Sequence, residues 1–180
     1  MSTWLSEKEF RQSGGESVGV TINVAFLQEI KTDFGFRDLL NKAHGQLTSI
    51  DSISINSENP TEADTAKPQQ VVNLLGDLRD ELKTYFALEE FYGYFSKSST
   101  NNPSVSQKAK RLQTEHEGLF LELNELVELA EQILYREMTD VSLSSIAGRF
   151  KDFCNHFAHH EQNEMDLMMR LCNEELGVGD

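Results

Sequence analysis

The sequence has few of the residues that would build a disulfide scaffold, interrupt helices or attract polyanions. It contains two cysteines and three prolines in 180 residues. Cys154 and Cys172 form no Cys-x-x-Cys pair, which excludes a disulfide framework and a thiolate zinc site and predicts two free thiols. Only 16 lysines and arginines stand against 30 acidic residues. The net charge of −14 argues against nucleic acid or an anionic membrane as the main partner.

Long apolar runs are also missing. No stretch approaches the length of a membrane span, and the first residues lack the basic-then-apolar pattern of a signal peptide. We therefore expect a soluble, cytoplasmic protein with no membrane partner. At this length we expect one main domain with a core of its own.

The sequence is rich in helical periodicity, because apolar residues recur at three- and four-residue spacing in four segments. The first two predicted helices cover residues 21–50, with a kink or a change of packing partner after Gly35, and residues 69–95. The third follows a cap at Ser104 and ends near Leu134. The fourth follows a cap at Thr139 or Asp140 and extends past Met168. All three prolines, and a long loop over 51–68, are expected between helices.

Four amphipathic helices with short second and third connections predict an all-α fold, an antiparallel up-down four-helix bundle. The bundle is expected over residues 21–176. Residues 1–20 are expected to form an N-terminal arm, with Trp4 and Phe10 as its only large apolar side chains.

Polar side chains fall on the apolar faces of three of these helices when each is unrolled at about 100° per residue. Glu89 lies near the centre of the second stripe and His116 near the centre of the third. Glu164 lies near the centre of the fourth stripe, with His160 on its shoulder, whereas Glu90 points away from the core. Counted in turns from the connections, the four inward residues lie at one level. Burying carboxylates there without partners would be costly, and mixed imidazole and carboxylate ligands suit iron, manganese or zinc.

Each inward residue also has a simpler interpretation when it is taken alone. His116 suits a hydrogen-bonded core histidine, and His160 with Glu164 suits an ordinary i, i+4 pair. If the predicted bounds of the second helix are wrong, Glu89 could lie at the edge of its apolar stripe. The convergence of three helices favours a metal site over these separate interpretations.

Other polar and aromatic residues are expected outside the ligand set by this reasoning. Tyr85, just beside the second stripe, suits a core aromatic residue with a satisfied hydroxyl. Three further histidines are expected at the surface: His44, His156 and His159.

The same positions resemble the hemerythrin-like (HHE) family over roughly residues 22–176. Residues 85–90 (YFALEE) are similar to the family's His-Phe-x-x-Glu-Glu run, and residues 114–116 (TEH) to its Glu-His on the third helix. Residues 160–164 (HEQNE) fit His-xxx-Glu on the fourth helix. Residues 30–34 (IKTDF) are similar to the family's Ile-Lys-x-Asp-His on the first helix.

The resemblance implies a four-helix bundle with a non-haem di-iron site. It makes ligands of the four inward residues and adds Tyr85 as a ligand or a neighbour. Phe34 and Tyr85 stand where the family has histidines, which argues against reversible dioxygen transport. The altered site could hold one metal ion, or two with Tyr85 and Glu161 drawn in. His44 could replace the first-helix ligand only if that helix extends further.

A second register is open on the fourth helix, in which His156 and Glu161 match the family's His-xxxx-Asp. The inward angles of His160 and Glu164 favour the first register.

Two classes of function follow. The first is a hemerythrin-like protein that binds non-haem iron, with manganese or zinc as alternatives, and senses or handles oxygen or peroxide. The second is a metal-free helical interaction or signalling module that kept the bundle. An enzyme ranks behind both because the sequence shows no substrate pocket, and no protein partner is predicted.

Overall fold

The computed structural model describes residues 35–51, 62–91, 103–137 and 142–175, which form four helices. They are α1 (Phe36–Asp51), α2 (Glu62–Phe91), α3 (Pro103–Leu134) and α4 (Leu143–Glu175). Both α1 and α3 pack against α2 and α4. No strand occurs within the described ranges, so the predicted all-α class is confirmed there. None of these four helices combines the length and the hydrophobicity that crossing a bilayer requires.

Prolines lie within two of the helices, contrary to prediction. Residues 62–68, predicted as loop, belong to α2, and Pro68 lies inside that helix. Inside a helix a proline removes one hydrogen bond and crowds the carbonyl four residues before it, so α2 continues through Pro68 at a local cost in stability. Pro103 is the first residue of α3, a position where its missing N–H group would have had no helical partner.

The described helix ends have local causes. The Ser142 hydroxyl accepts a hydrogen bond from the backbone N–H of Ser145 at 3.3 Å, and so caps the start of α4. Beyond the end of α3, Arg136 adopts a φ of 57°. The N–H groups of Arg136 and Glu137 then donate to the carbonyls of Ile133 and Gln132, a Schellman ending.

Several predictions lie outside the described residues. They concern the arm over 1–20, the helix over 21–34 with Phe34 and the extension over 92–95. The cap predicted at Thr139 or Asp140 is wrong, because α4 begins at Leu143 and Ser142 caps it.

The apolar core is divided into two clusters along the bundle. The larger draws on all four helices and includes Phe36, Leu82, Leu123 and Phe153, each fully buried. Each such side chain stabilises the fold by about 1.5–3 kcal/mol. The smaller cluster lies between α3 and α4 and consists of Val105, Ala109, Leu112, Leu167, Met168 and Leu171.

Polar residues separate the two clusters while following the same helical spacing. On α3, His116 lies between Leu112 and Leu119, all three of them buried. On α4, residues 160 and 164 continue the buried stripe between Phe157 and Leu167. A polar layer therefore occupies positions that would otherwise carry apolar side chains.

Cys154 is a free thiol, as predicted. Burial raises its pKa to about 11, so the group is protonated and weakly reactive at neutral pH. The side chain of Cys172 is outside the described set.

Candidate metal centre

Four polar side chains converge in the layer between the two apolar clusters. They are Glu89 on α2, His116 on α3, and His160 and Glu164 on α4. None is more than 4% exposed. Each offers a ligand atom, and these atoms all lie within 4.8 Å of one another. These are the four residues that helical spacing placed at one level. We call them the quartet.

The ring nitrogens of the quartet face its carboxylates. His116 Nε2 lies 3.3 Å from Glu89 Oε2 and 3.5 Å from Glu164 Oε1. His160 Nε2 lies 3.3 Å from the same Glu164 oxygen. That contact lacks hydrogen-bond geometry, so His160 Nε2 is a buried polar atom without a hydrogen bond. The two imidazoles meet edge to face, with centroids 4.8 Å apart. Both Nε2 atoms are therefore aimed at one small polar space.

A carboxylate contacts the other ring nitrogen, Nδ1, of each imidazole. His116 Nδ1 lies 3.2 Å from Glu90 Oε1, and His160 Nδ1 lies 3.1 Å from Glu115 Oε2. When a ring is neutral, as a metal ligand must be, a proton on Nδ1 can be donated to this carboxylate and Nε2 keeps its lone pair for a metal ion. Carboxylates orient metal-bound histidines in this way.

Neither of these two carboxylates was predicted as part of the site. Glu90 was expected to point away, and its side chain is indeed 43% exposed, yet it reaches His116. In the sequence, Glu115 stands out only as part of the Thr-Glu-His motif at residues 114–116. The one sequence signal for both is an acidic residue directly beside a candidate ligand.

A second polar group lies beside the quartet and includes a residue of α1. The buried Tyr85 hydroxyl donates to Glu161 Oε1 at 3.1 Å. The same oxygen accepts from an Arg37 guanidinium nitrogen at 2.6 Å. Burial, and then the charges of Glu89 and Glu161, raise the pKa of Tyr85, which is therefore a neutral phenol. We call Arg37, Tyr85 and Glu161 the arginine triad.

Aromatic rings pack against both polar groups. Phe86 stacks on His116 with centroids 4.0 Å apart and planes 7° from parallel. Phe36 packs against Tyr85 at 5.4 Å and against Phe157 at 5.1 Å. Such surroundings keep the local dielectric low and strengthen every electrostatic interaction inside.

The quartet carboxylates favour protonated imidazoles in the protein alone. Burial lowers the pKa of His116, but the carboxylates of Glu164 and Glu89 raise it by more, to about 9. Burial likewise lowers the pKa of His160, and Glu164 and Glu115 outweigh that effect, so this pKa is also raised. A metal ion would therefore displace protons when it binds.

The remaining described histidines lie at the surface, as predicted. His44 and His159 are exposed. The His156 side chain is 64% exposed, and its Nδ1 lies 3.0 Å from Glu122 Oε2. The structure therefore gives no support to the register that pairs His156 with Glu161.

Comparisons of the chain with family models, with curated proteins and with solved structures found no match. The hemerythrin-like resemblance thus stays a prediction, and the function is argued from the geometry of the quartet.

Proposed function

We propose that this protein binds iron in a hemerythrin-like bundle, with Glu89, His116, His160 and Glu164 as the ligands. The observation that carries the proposal is their burial together in an apolar core, with ligand atoms within 4.8 Å of one another. Carboxylates are almost never fully buried unless they are paired or bind a metal.

The dimensions of the quartet suit a metal ion. At about 2.1 Å from each ligand atom, an ion holds opposite ligands about 4.2 Å apart. The 4.8 Å limit exceeds that span by about 0.6 Å, which small side-chain rotations can close. Glu90 and Glu115 already hold both rings with Nε2 facing the space that the ion would occupy.

The two imidazoles and two carboxylates suit iron, manganese or zinc. Among these, the hemerythrin-like resemblance favours iron. Bound iron would supply redox chemistry toward dioxygen or peroxide. We therefore propose that the protein senses or handles these molecules. Reversible oxygen transport is not proposed because Tyr85 stands where the family has a histidine.

Contacts between the helices support an up-down antiparallel bundle. Arg79 contacts Asn124 and Glu90 contacts His116, so α3 residues fall in number as their α2 partners rise. On the other side of α3, Glu115 contacts His160 and Glu122 contacts His156.

Elemental analysis tests the metal. Protein purified without chelators should contain about one metal ion per chain, and His160→Ala should contain less than about 0.2. The matched control is His159→Ala. His159 directly precedes His160 on the same helix but is exposed, so this variant should keep the metal. An equally low metal content in the wild-type protein and in His160→Ala would contradict the proposal.

The metal-free module remains the second candidate, because the raised histidine pKa values allow the quartet to balance its own charges. Thermal unfolding separates the two candidates. If metal is bound at about a hundred times its Kd, chelation should lower Tm by about 5–10 °C. An unchanged Tm on chelation would favour the module.

Glu115 offers a finer test of the centre. We expect Glu115→Ala to weaken metal binding by about 10- to 100-fold, because His160 loses the acceptor that orients its ring. Competition with a chromophoric chelator gives the affinity. Glu131→Ala makes the same charge change at an exposed site on α3 and should leave the affinity unchanged. Equal affinities in the two variants would show that Glu115 has no positioning role.

A further inference from the structure

The residues that a second metal ion would need are already engaged with one another. Beside the quartet, Tyr85 and Glu161 are the oxygen donors that a second ion could recruit from α2 and α4. Glu161 Oε1 accepts two hydrogen bonds, from Arg37 at 2.6 Å and from Tyr85 at 3.1 Å. Tyr85 is the donor in its bond, so its hydroxyl proton points at Glu161.

Arg37 brings a permanent positive charge to this position. A guanidinium does not lose its proton in proteins, so Arg37 cannot become a ligand and repels a neighbouring cation. Phe36, the residue before it, packs its ring on Tyr85 and Phe157. The start of α1 therefore presents a cation and an apolar ring to the side of the site where a second ion would need donors.

The charges of these groups also disfavour a second metal ion. A divalent ion held by two carboxylates and two neutral imidazoles forms a neutral unit. The Arg37–Glu161 pair is neutral as well. A second divalent ion beside Tyr85 and Glu161 would add two positive charges next to the Arg37 guanidinium, which already neutralises Glu161.

We infer that the centre holds a single metal ion, and that the arginine triad occupies the place of a second one. This inference rests on the proposed function and fixes how many ions the centre holds. It makes Arg37 and Tyr85 the residues that determine that number.

Metal titration of the full chain tests the inference. Chelator-treated protein is loaded with Mn²⁺, freed of excess ion by gel filtration and analysed for metal. We expect about one ion per chain in the wild-type protein and about two in an Arg37→Ala, Tyr85→His double variant, which removes the cation and supplies an imidazole. Electron paramagnetic resonance should show an isolated ion in the first and an exchange-coupled pair in the second.

The control is Arg149→Ala, which removes an arginine from an exposed ion pair with Glu125 and should keep the wild-type count. Two ions in the wild-type protein would overturn the inference and leave the proposed function standing. No ion in the wild-type protein would overturn both. A folded double variant that still binds one ion would show that the triad does not set the number.

Discussion

Replacing His116 with leucine should destabilise the metal-free protein by about 3–5 kcal/mol and abolish metal binding. Of the two quartet imidazoles, His116 lies close to both carboxylates, at 3.3 Å from Glu89 and 3.5 Å from Glu164. Without it, His160 is the one quartet imidazole left for two buried carboxylates, and its close contact is with Glu164. Breaking a buried ion pair from one side costs far more than the pair contributes while it is intact. Urea unfolding in the presence of chelator measures the loss.

Two further variants make this expectation specific. His159→Ala, at an exposed position on α4, should change stability by no more than about 0.5 kcal/mol. Replacing the whole quartet with leucine should recover the stability lost in His116→Leu, because no buried charge remains. That variant should bind no metal. If His116→Leu unfolds like the wild-type protein, its imidazole does not hold the two carboxylates in place.

The polar layer interrupts what could be a single apolar core. A leucine at each quartet position would join the two apolar clusters into one continuous core. Stability alone therefore gives no reason for a buried polar layer in the bundle. If the all-leucine variant is at least as stable as the metal-free wild-type protein, a ligand that binds the quartet would explain why the layer is there.

The quartet could be found from the sequence because helical spacing determines which side of a helix a residue occupies. His116 follows Leu112 by four positions and precedes Leu119 by three, so it falls in the buried stripe whatever the exact helix ends are. The error in the start of α2 shifted no residue around the helix axis, and Glu89 stayed inward.

The supporting residues could not be found in this way. Glu90 and Glu115 lie off the stripes, and only the length of their side chains lets them reach the Nδ1 atoms. Arg37 depends on how α1 and α4 pack, which the spacing within a single helix does not specify. The position of a residue around its helix axis predicts whether it is buried. The length of its side chain and the packing of the helices decide which residues it contacts.

The metal-free protein should lose stability as the pH rises from about 6.5 to about 9. The pKa of His116 is raised in the folded protein to about 9 from its ordinary 6.5, so the folded state holds this proton more tightly than the unfolded state. The resulting stabilisation is complete below the ordinary pKa and is lost as the pH passes through the raised one. A shift of this size corresponds to about 3 kcal/mol, and His160 acts in the same direction.

Metal should cancel this dependence above about pH 7.5, where the histidines of the unfolded protein carry few protons. Because the ion must displace the protons of both rings, its affinity should rise over the same pH range, and the stabilisation that it provides should rise with it. Urea unfolding should therefore show a stability that falls with rising pH in the presence of chelator and stays nearly constant over about pH 7.5–9 with excess Mn²⁺. The all-leucine quartet variant corrects for groups elsewhere and should respond identically with and without metal. Parallel slopes in the wild-type protein would mean that the metal does not bind through these imidazoles, because only a ligand that competes for their protons can cancel the dependence.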